Sequence, residues 1–208
     1  MTSHRTPRYA LPIRMQRIRT FTAVEVWPEI RERAQRLVGR IKDTTAKVTW
    51  VKPEQMHLTM NFLGDVEMNE IPAVCKAVSE AVSPFAPFDV EMARIGVFPS
   101  YENPRTIWLG VGDGADRLVA LHAALETSLG QLGFRIEARR FRPHLTLGRV
   151  RSLPKGPGQL AGLLKQHADF EAGPMMVSEV TVLSSELSRN GPTYEHLGHG
   201  ELLGITQP

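Results

Sequence analysis

One short pattern occurs twice in this chain and limits the folds that it can adopt. His57-Leu58-Thr59-Met60 and His144-Leu145-Thr146-Leu147 share the order histidine, leucine, threonine, apolar residue. Each copy lies in a run of β-forming residues, and a glycine follows each one, at Gly64 and Gly148. The repeat therefore predicts two related strands, one in each of two similar lobes.

Strand geometry divides each tetrad between two faces. Side chains at positions i and i+2 point to the same face of a strand, so His57 and Thr59 share one face and the two apolar residues take the other. The second tetrad divides in the same way. The apolar pairs would anchor the strands in the core, which leaves two imidazoles and two hydroxyls to face a polar cleft.

Two imidazoles in one cleft suit proton transfer. Imidazole titrates near neutral pH, so one ring can donate a proton while the other accepts one. The hydroxyls of Thr59 and Thr146 can donate hydrogen bonds to an anion between them. Threonine is a poor metal ligand, and neither tetrad contains a carboxylate or cysteine that would complete a zinc site, so no metal is expected.

Arg149 lies five residues after His144, directly past Gly148. Strict alternation would point it away from the cleft, but a bend or bulge at the glycine would turn it inward. A guanidinium there would hold a phosphate through two parallel hydrogen bonds. The stretch from Arg135 to Arg151 carries six arginines and one acid, which also favours an anionic partner.

Composition excludes several other classes of protein. The chain has 208 residues, of which 42% are hydrophobic, enough for one folded domain with a core. Cys75 is the only cysteine, which rules out a disulfide framework, and no apolar run approaches the roughly 18 residues of a membrane helix.

The formal charge of +3 equals the contribution of three arginines in residues 1–14, which include no acid. We expect residues 1–14 to be a disordered basic leader and residues 15–208 to be a single bilobal domain in the cytoplasm, with no membrane or obligate protein partner.

Local patterns predict an α+β fold with antiparallel sheets. Alternating runs rich in β-formers predict strands at 17–26, 47–52, 56–63, 88–98, 106–111, 135–140, 144–150, 175–188 and 194–203. Proline at an N-terminus and apolar residues at helical spacing predict helices at 28–42, 69–83, 116–132 and 159–167. The last two strands form a hairpin around Asn190-Gly191. Adjacent strand pairs dominate over regular βαβ units, which favours the α+β class.

The tetrads and their flanks resemble the two-histidine (2H) phosphoesterase superfamily and, within it, the RNA 2',3'-cyclic phosphodiesterases, also called the 2'-5' RNA ligase or LigT-like family. The resemblance covers nearly all of residues 15–208, whereas the leader before Met15 has no counterpart. It is carried by Arg19-Thr20-Phe21-Thr22-Ala23-Val24, by Trp50-Val51-Lys52-Pro53 leading to the block from His57 to Gly64, by the strand from Pro104 to Val111, by Phe141-Arg142-Pro143 leading to the block from His144 to Arg149, and by the ending with Leu183 to Leu187, Gly191-Pro192 and Tyr194.

This resemblance implies a bilobal fold, with two antiparallel sheets and outer helices around a central cleft. It implies metal-independent hydrolysis, without a cofactor, of the 2',3'-cyclic phosphate end of RNA or of a nucleotide to a 2'-phosphate. It makes His57 the proton donor to the departing 3' oxygen and His144 the proton acceptor that activates water. Thr59, Thr146 and Arg149 match the phosphate-binding positions.

An RNA substrate also brings a base, which stacks on aromatic side chains. Phe21, Trp108, Phe98 and Tyr194 are the candidates for this contact, although aromatic residues in strands more often pack in the core.

Three alternative functions stay open on sequence alone. A related 2H enzyme would use the same motifs on another cyclic phosphate or a 2'-5' linked substrate. A non-catalytic module that binds RNA ends would need the basic stretch and not the histidines. The same groups would also serve reversible 2'-5' ligation of RNA ends, because a catalyst accelerates both directions of a reaction.

Overall fold

The computed structural model describes residues 16–135, 140–153, 159–188 and 191–205. Within these ranges the chain forms nine strands and four α-helices. The strands are β1 (Arg17–Glu25), β2 (Lys47–Trp50), β3 (His57–Glu67), β4 (Phe88–Phe98), β5 (Thr106–Val111), β6 (His144–Ser152), β7 (Glu171–Val177), β8 (Glu179–Ser188) and β9 (Gly191–Glu201). The helices are α1 (Pro28–Ile41), α2 (Ile71–Val82), α3 (Ala115–Gln131) and α4 (Gln159–Gln166).

The strands form one curled antiparallel sheet in the order β7-β4-β5-β6-β3-β1-β8-β9, with β2 paired to β6 beside that path. The sheet has two halves. We call β1, β3, β8 and β9 with α2 and α3 the first lobe, and β2, β4, β5, β6 and β7 with α1 and α4 the second lobe. The lobes meet where β3 pairs with β6, at Leu58 and Leu145.

The helices cover the outer faces of both lobes. In α1 the buried residues recur every three or four positions, the spacing of one helical face, and this face packs against β7 and α4. In the first lobe α2 packs against β8, β9 and α3. Buried aliphatic side chains from both lobes form one large apolar cluster, to which Leu58 and Leu145 both belong.

The α+β class and most of the expected elements are confirmed, with ends shifted by a few residues. The two expected sheets are joined into one by the contact between β3 and β6. Arg135 and Arg140 lie outside any strand, and 136–139 between them are outside the described residues, as are Asn190 and the leader at 1–14. The described residues contain no helix long and apolar enough to cross a membrane.

The prediction of a single strand over 175–188 was wrong. The segment contains the end of β7 and the whole of β8, which separate at Ser178. β7 lies at one edge of the sheet beside β4, whereas β8 lies between β1 and β9. Apolar residues continue up to this turn and resume after it, and no glycine or proline marks it, so local pattern does not reveal the break.

Replacing the leucine that joins the lobes should destabilise the protein. Leu145 is fully buried, so Leu145→Ala leaves a cavity at the β3–β6 contact and should lower the free energy of unfolding by about 2–5 kcal/mol. Leu203→Ala is the matched control, because that side chain is 66% exposed. Urea denaturation of both variants measures the difference, and equal midpoints would contradict the role given to Leu145.

Candidate active site

The two tetrads lie side by side in the sheet, running in opposite directions. Leu58 pairs with Leu145, and extending this antiparallel register by one residue places His57 opposite Thr146 and Thr59 opposite His144. The leucines are buried, and the histidines and threonines are half-buried on the other face. The alternation predicted within each tetrad is therefore present, and the four polar side chains project from neighbouring strands.

His57 is held by hydrogen bonds on both ring nitrogens. Its Nδ1 lies 2.9 Å from the carbonyl oxygen of Gln55, so Nδ1 carries the proton and donates it. Its Nε2 lies 3.0 Å from Thr59 Oγ1, which donates to the neutral ring. The rings of Phe21 and Tyr194 lie 4.9 and 5.2 Å from the imidazole.

His144 has the same arrangement on one side of its ring. Its Nδ1 lies 2.7 Å from the carbonyl oxygen of Arg142, again two residues earlier in the chain. This bond places the unprotonated nitrogen at Nε2, which has no hydrogen-bond partner among the described residues. Phe98 and Trp108 flank the ring, with centroid distances of 5.1 and 6.2 Å.

Burial makes both imidazoles hard to protonate. It lowers the pKa of His57 to about 4, although the Gln55 carbonyl and the charge of Glu25 act in the opposite direction, and the charge of Arg31 adds to the lowering. It also lowers the pKa of His144, where the Arg142 carbonyl opposes the shift and the charge of Arg149 adds to it. Both rings are therefore neutral at pH 7 in this geometry.

A bulge in β6 turns Arg149 toward the cleft, as expected for a bend at Gly148. Ile107 pairs with Gly148 and Trp108 with Thr146, so Leu147 is passed over and the alternation shifts by one residue. A Cβ on Gly148 would lie 2.7 Å from the Trp50 ring, so only glycine allows this close approach.

The cleft beside these residues has a volume of about 450 Å³. It brings together His57, Thr59, Thr146 and Arg149, as the sequence predicts, whereas His144 lies outside its lining. The side chains that line it are those of Arg19, Phe21, Thr49, Trp50, Val51, Gln55, His57, Thr59, Phe62, Thr146, Arg149, Arg151, Ser185, Leu187, Pro192 and Tyr194. They include three arginines and no carboxylate.

The four aromatic candidates divide into two pairs, one beside each histidine. Phe21 and Tyr194 both line the cleft, but Phe21 is only 3% exposed and packs against His57 and Tyr194, whereas Tyr194 is half-buried. Phe98 and Trp108 contact His144 and each other and lie outside the cleft lining. A base-stacking role for any of the four stays a prediction.

Phe62 is a cleft residue that the sequence reasoning missed. Its side chain is 61% exposed and lines the cleft. It lies five residues after His57, as Arg149 lies five residues after His144, and a bulge at Met60 precedes it because Thr22 pairs with Asn61 and Ala23 with Thr59. Aligning the two repeats beyond the tetrads would have indicated this position.

Across the described ranges, no three His, Cys, Asp or Glu side chains lie close enough to share a metal ion. Metal independence stays a prediction about the reaction. Of the basic stretch from Arg135 to Arg151, the described residues that line the cleft are Arg149 and Arg151, and Arg139 lies outside the described residues.

The chain is similar in sequence to one family of known proteins. The family model described as the 2'-5' RNA ligase superfamily matches residues 26–189. The RNA 2',3'-cyclic phosphodiesterase of Methanothermobacter thermautotrophicus is 34% identical over 86% of this chain and 95% of its own length. The protein of the same name from Thermotoga maritima is 33% identical over 86% of this chain and 93% of its own.

Solved structures share the fold. TT0787 of Thermus thermophilus superimposes with a TM-score of 0.77 at 24% identity, over 91% of this chain and all of that one. E. coli LigT complexed with 3'-AMP gives a TM-score of 0.72 at 23% identity, over 90% of this chain and 99% of that one.

The titration of His57 provides a direct test of this geometry. We expect the His57 resonance in the NMR spectrum of the free protein to titrate near pH 4, and the histidines of the urea-denatured chain to titrate near 6.5. Between these pH values the unfolded chain binds a proton at His57 and the folded protein does not, so acidification lowers the free energy of unfolding. A folded-state pKa at or above 6.5 would contradict the burial of this ring.

Proposed function

This chain belongs to the 2'-5' RNA ligase superfamily, and on that premise we propose that it is a phosphodiesterase acting on RNA ends. The proposed reaction is metal-independent hydrolysis of a terminal 2',3'-cyclic phosphate to a 2'-phosphate. Two relatives at least 33% identical are named RNA 2',3'-cyclic phosphodiesterase and cover most of the chain. On sequence grounds alone, the cytoplasm remains the proposed compartment.

One observation carries this proposal: the two His-x-Thr pairs lie antiparallel around the Leu58–Leu145 contact. Each histidine uses Nδ1 to donate to the backbone carbonyl two residues earlier, so the reactive nitrogen in both rings is Nε2. A phosphorus atom between the strands would then have an imidazole on each side. This arrangement suits in-line attack by water on one side and departure of a ribose oxygen on the other.

The assignment of acid and base follows the family pattern and agrees with the local charges. We propose that His144 takes a proton from the attacking water while His57 gives a proton to the departing 3' oxygen. The P–O3' bond breaks as the new P–O bond forms, and the phosphate stays on the 2' oxygen. At His57 the charge of Glu25 favours the charged ring and the charge of Arg31 opposes it, whereas at His144 the charge of Arg149 favours the neutral ring that a base requires.

For His57 to act as the acid, the bound substrate has to raise its pKa so that the ring takes up a proton from solvent. Burial keeps this ring neutral in the empty cleft, and an anionic phosphodiester beside it raises its pKa. Thr59 donates to Nε2 in the free protein. We propose that this hydroxyl turns to the phosphate when substrate binds, which releases Nε2 for the departing oxygen.

Phosphate binding is assigned to the remaining polar groups of the cleft. Thr59 and Thr146 offer one hydroxyl from each strand, and Arg149 offers a planar pair of donors. We propose that the terminal base lies against Phe62, because this ring is largely exposed and faces the cleft, with Tyr194 at its side.

Replacing either histidine should abolish turnover. We expect wild type to convert an RNA oligomer with a 2',3'-cyclic phosphate end to the 2'-phosphate in EDTA, and His57→Ala and His144→Ala to lose about 10²–10⁴-fold in kcat, because each removes one proton-transfer group. His199→Ala is the matched control, since this exposed histidine on β9 does not line the cleft. Phosphorus NMR identifies the product isomer.

Each other outcome of this experiment points to a different function. Binding of the oligomer without hydrolysis by wild type would favour a module that binds RNA ends. Turnover that survives both histidine substitutions would exclude the acid–base pair. Turnover restricted to other cyclic phosphates or to 2'-5' linked substrates would keep the mechanism and change the substrate.

Arg149 should contribute mainly in the transition state. Arg149→Ala removes the donors that we assign to the phosphate, and should cost about 2–4 kcal/mol in kcat/KM, as removal of other preorganised donors does. Arg40→Ala removes the same charge from an exposed position on α1 and serves as the control. Wild-type kinetics for Arg149→Ala would place this residue outside the reacting site.

A further inference from the structure

The cleft carries more positive charge than one terminal phosphate needs. Arg149, Arg151 and Arg19 all line it, and no carboxylate does. The three side chains are exposed, and none of them forms an ion pair with a carboxylate among the described residues. The proposed reaction uses Arg149 alone, so it gives no role to Arg151 and Arg19.

Arg151 is the better placed of these two cations. It lies two residues after Arg149 on the same face of β6, about 7 Å further along the strand. Its Nε donates a hydrogen bond of 3.0 Å to Thr49 Oγ1, on the neighbouring strand β2. This bond fixes one edge of the guanidinium and leaves the two terminal nitrogens available to an anion in the cleft.

Arg19 is a second cation that lines the same cleft, from β1 in the first lobe. Extending the β1–β8 register by one residue places it opposite Ser185, which also lines the cleft. Asp65 lies opposite Arg19 in the β1–β3 register but does not line the cleft. An anion bound in this cleft therefore has a second cation and a hydroxyl available from the first lobe.

We propose that Arg151, oriented by Thr49 and assisted by Arg19, binds the phosphate on the 5' side of the terminal nucleotide. This inference rests on the proposed function and names the substrate feature that it selects: a nucleotide chain, or at least a 5'-phosphate, rather than a bare nucleoside cyclic phosphate. Successive phosphates of one strand would occupy successive arginines of β6.

Three substrates of increasing size test the proposed contact between Arg151 and the 5'-phosphate. They are adenosine 2',3'-cyclic phosphate, the same compound with a 5'-phosphate, and a diadenylate that ends in a 2',3'-cyclic phosphate. For wild type we expect kcat/KM to rise roughly three- to tenfold when the 5'-phosphate is added, as is reasonable for one exposed, oriented charge contact. The first two substrates differ only in the 5'-phosphate, so contacts with the base contribute equally to both values of kcat/KM.

Substitutions test whether Arg151 causes this increase in kcat/KM. Arg151→Gln should remove most of the increase while lowering activity on the bare nucleoside cyclic phosphate by less. Thr49→Val keeps the guanidinium but removes its hydrogen-bond partner, so it should reduce the increase in part. Arg40→Gln, with the same charge change on α1, should retain the full increase.

Two results would overturn the inference: no gain from the 5'-phosphate in wild type, or an equal loss on all three substrates in Arg151→Gln. If wild type hydrolyses none of them, the proposed function fails, and binding then tests the subsite separately. Fluorescence anisotropy with a labelled RNA hexamer should show weaker binding for Arg151→Gln and a salt slope reduced by about 0.7. Unchanged affinity and slope would exclude Arg151 from the path of the strand.

Discussion

A single backbone pairing, between Leu58 and Leu145, determines how the two lobes present their chemistry. Both leucines point into the common core, so the residues before and after them must point the other way. Because the strands are antiparallel, each histidine is opposite the threonine of the other motif. The pairing of β3 with β6 is also short. Beyond it β6 pairs with β2 instead, and the cleft opens where β3 and β6 separate.

Burial and neighbouring charge act on the two imidazoles in different ways. Burial lowers the pKa of both rings, so the empty site contains two neutral bases and no acid. The neighbouring charges then distinguish the rings, because His57 has both Glu25 and Arg31 near it, with opposite effects on its pKa, whereas His144 has only the unfavourable charge of Arg149. In the proposed reaction an anionic substrate raises the pKa of His57, so that the two rings act as an acid and a base only when substrate is bound.

The alternation of side chains along a strand was enough to identify the polar face of each tetrad, since it depends only on residues within that strand. The direction of Arg149 could not be settled this way, because the bulge that turns it depends on the pairing of β6 with β5 and on the Trp50 ring over Gly148. Phe62 was missed because it lies beyond the tetrad, and its direction depends on a bulge at Met60 that is set by the pairing of β3 with β1. The break at Ser178 leaves no local signal, because both strands that flank it are apolar on their inner faces.

The order of elements along the chain has a consequence for how the protein can be divided. α1 follows a strand of the first lobe but packs on the second, and α3 follows a strand of the second lobe but packs on the first. Neither lobe is therefore formed by a contiguous segment that also contains all of the helices packed on it. A chain cut between the motifs would yield two fragments, each with an uncovered apolar sheet and a helix whose partner is on the other piece. Although the motifs are repeated, the helices that cover the two lobes are exchanged between the halves of the chain.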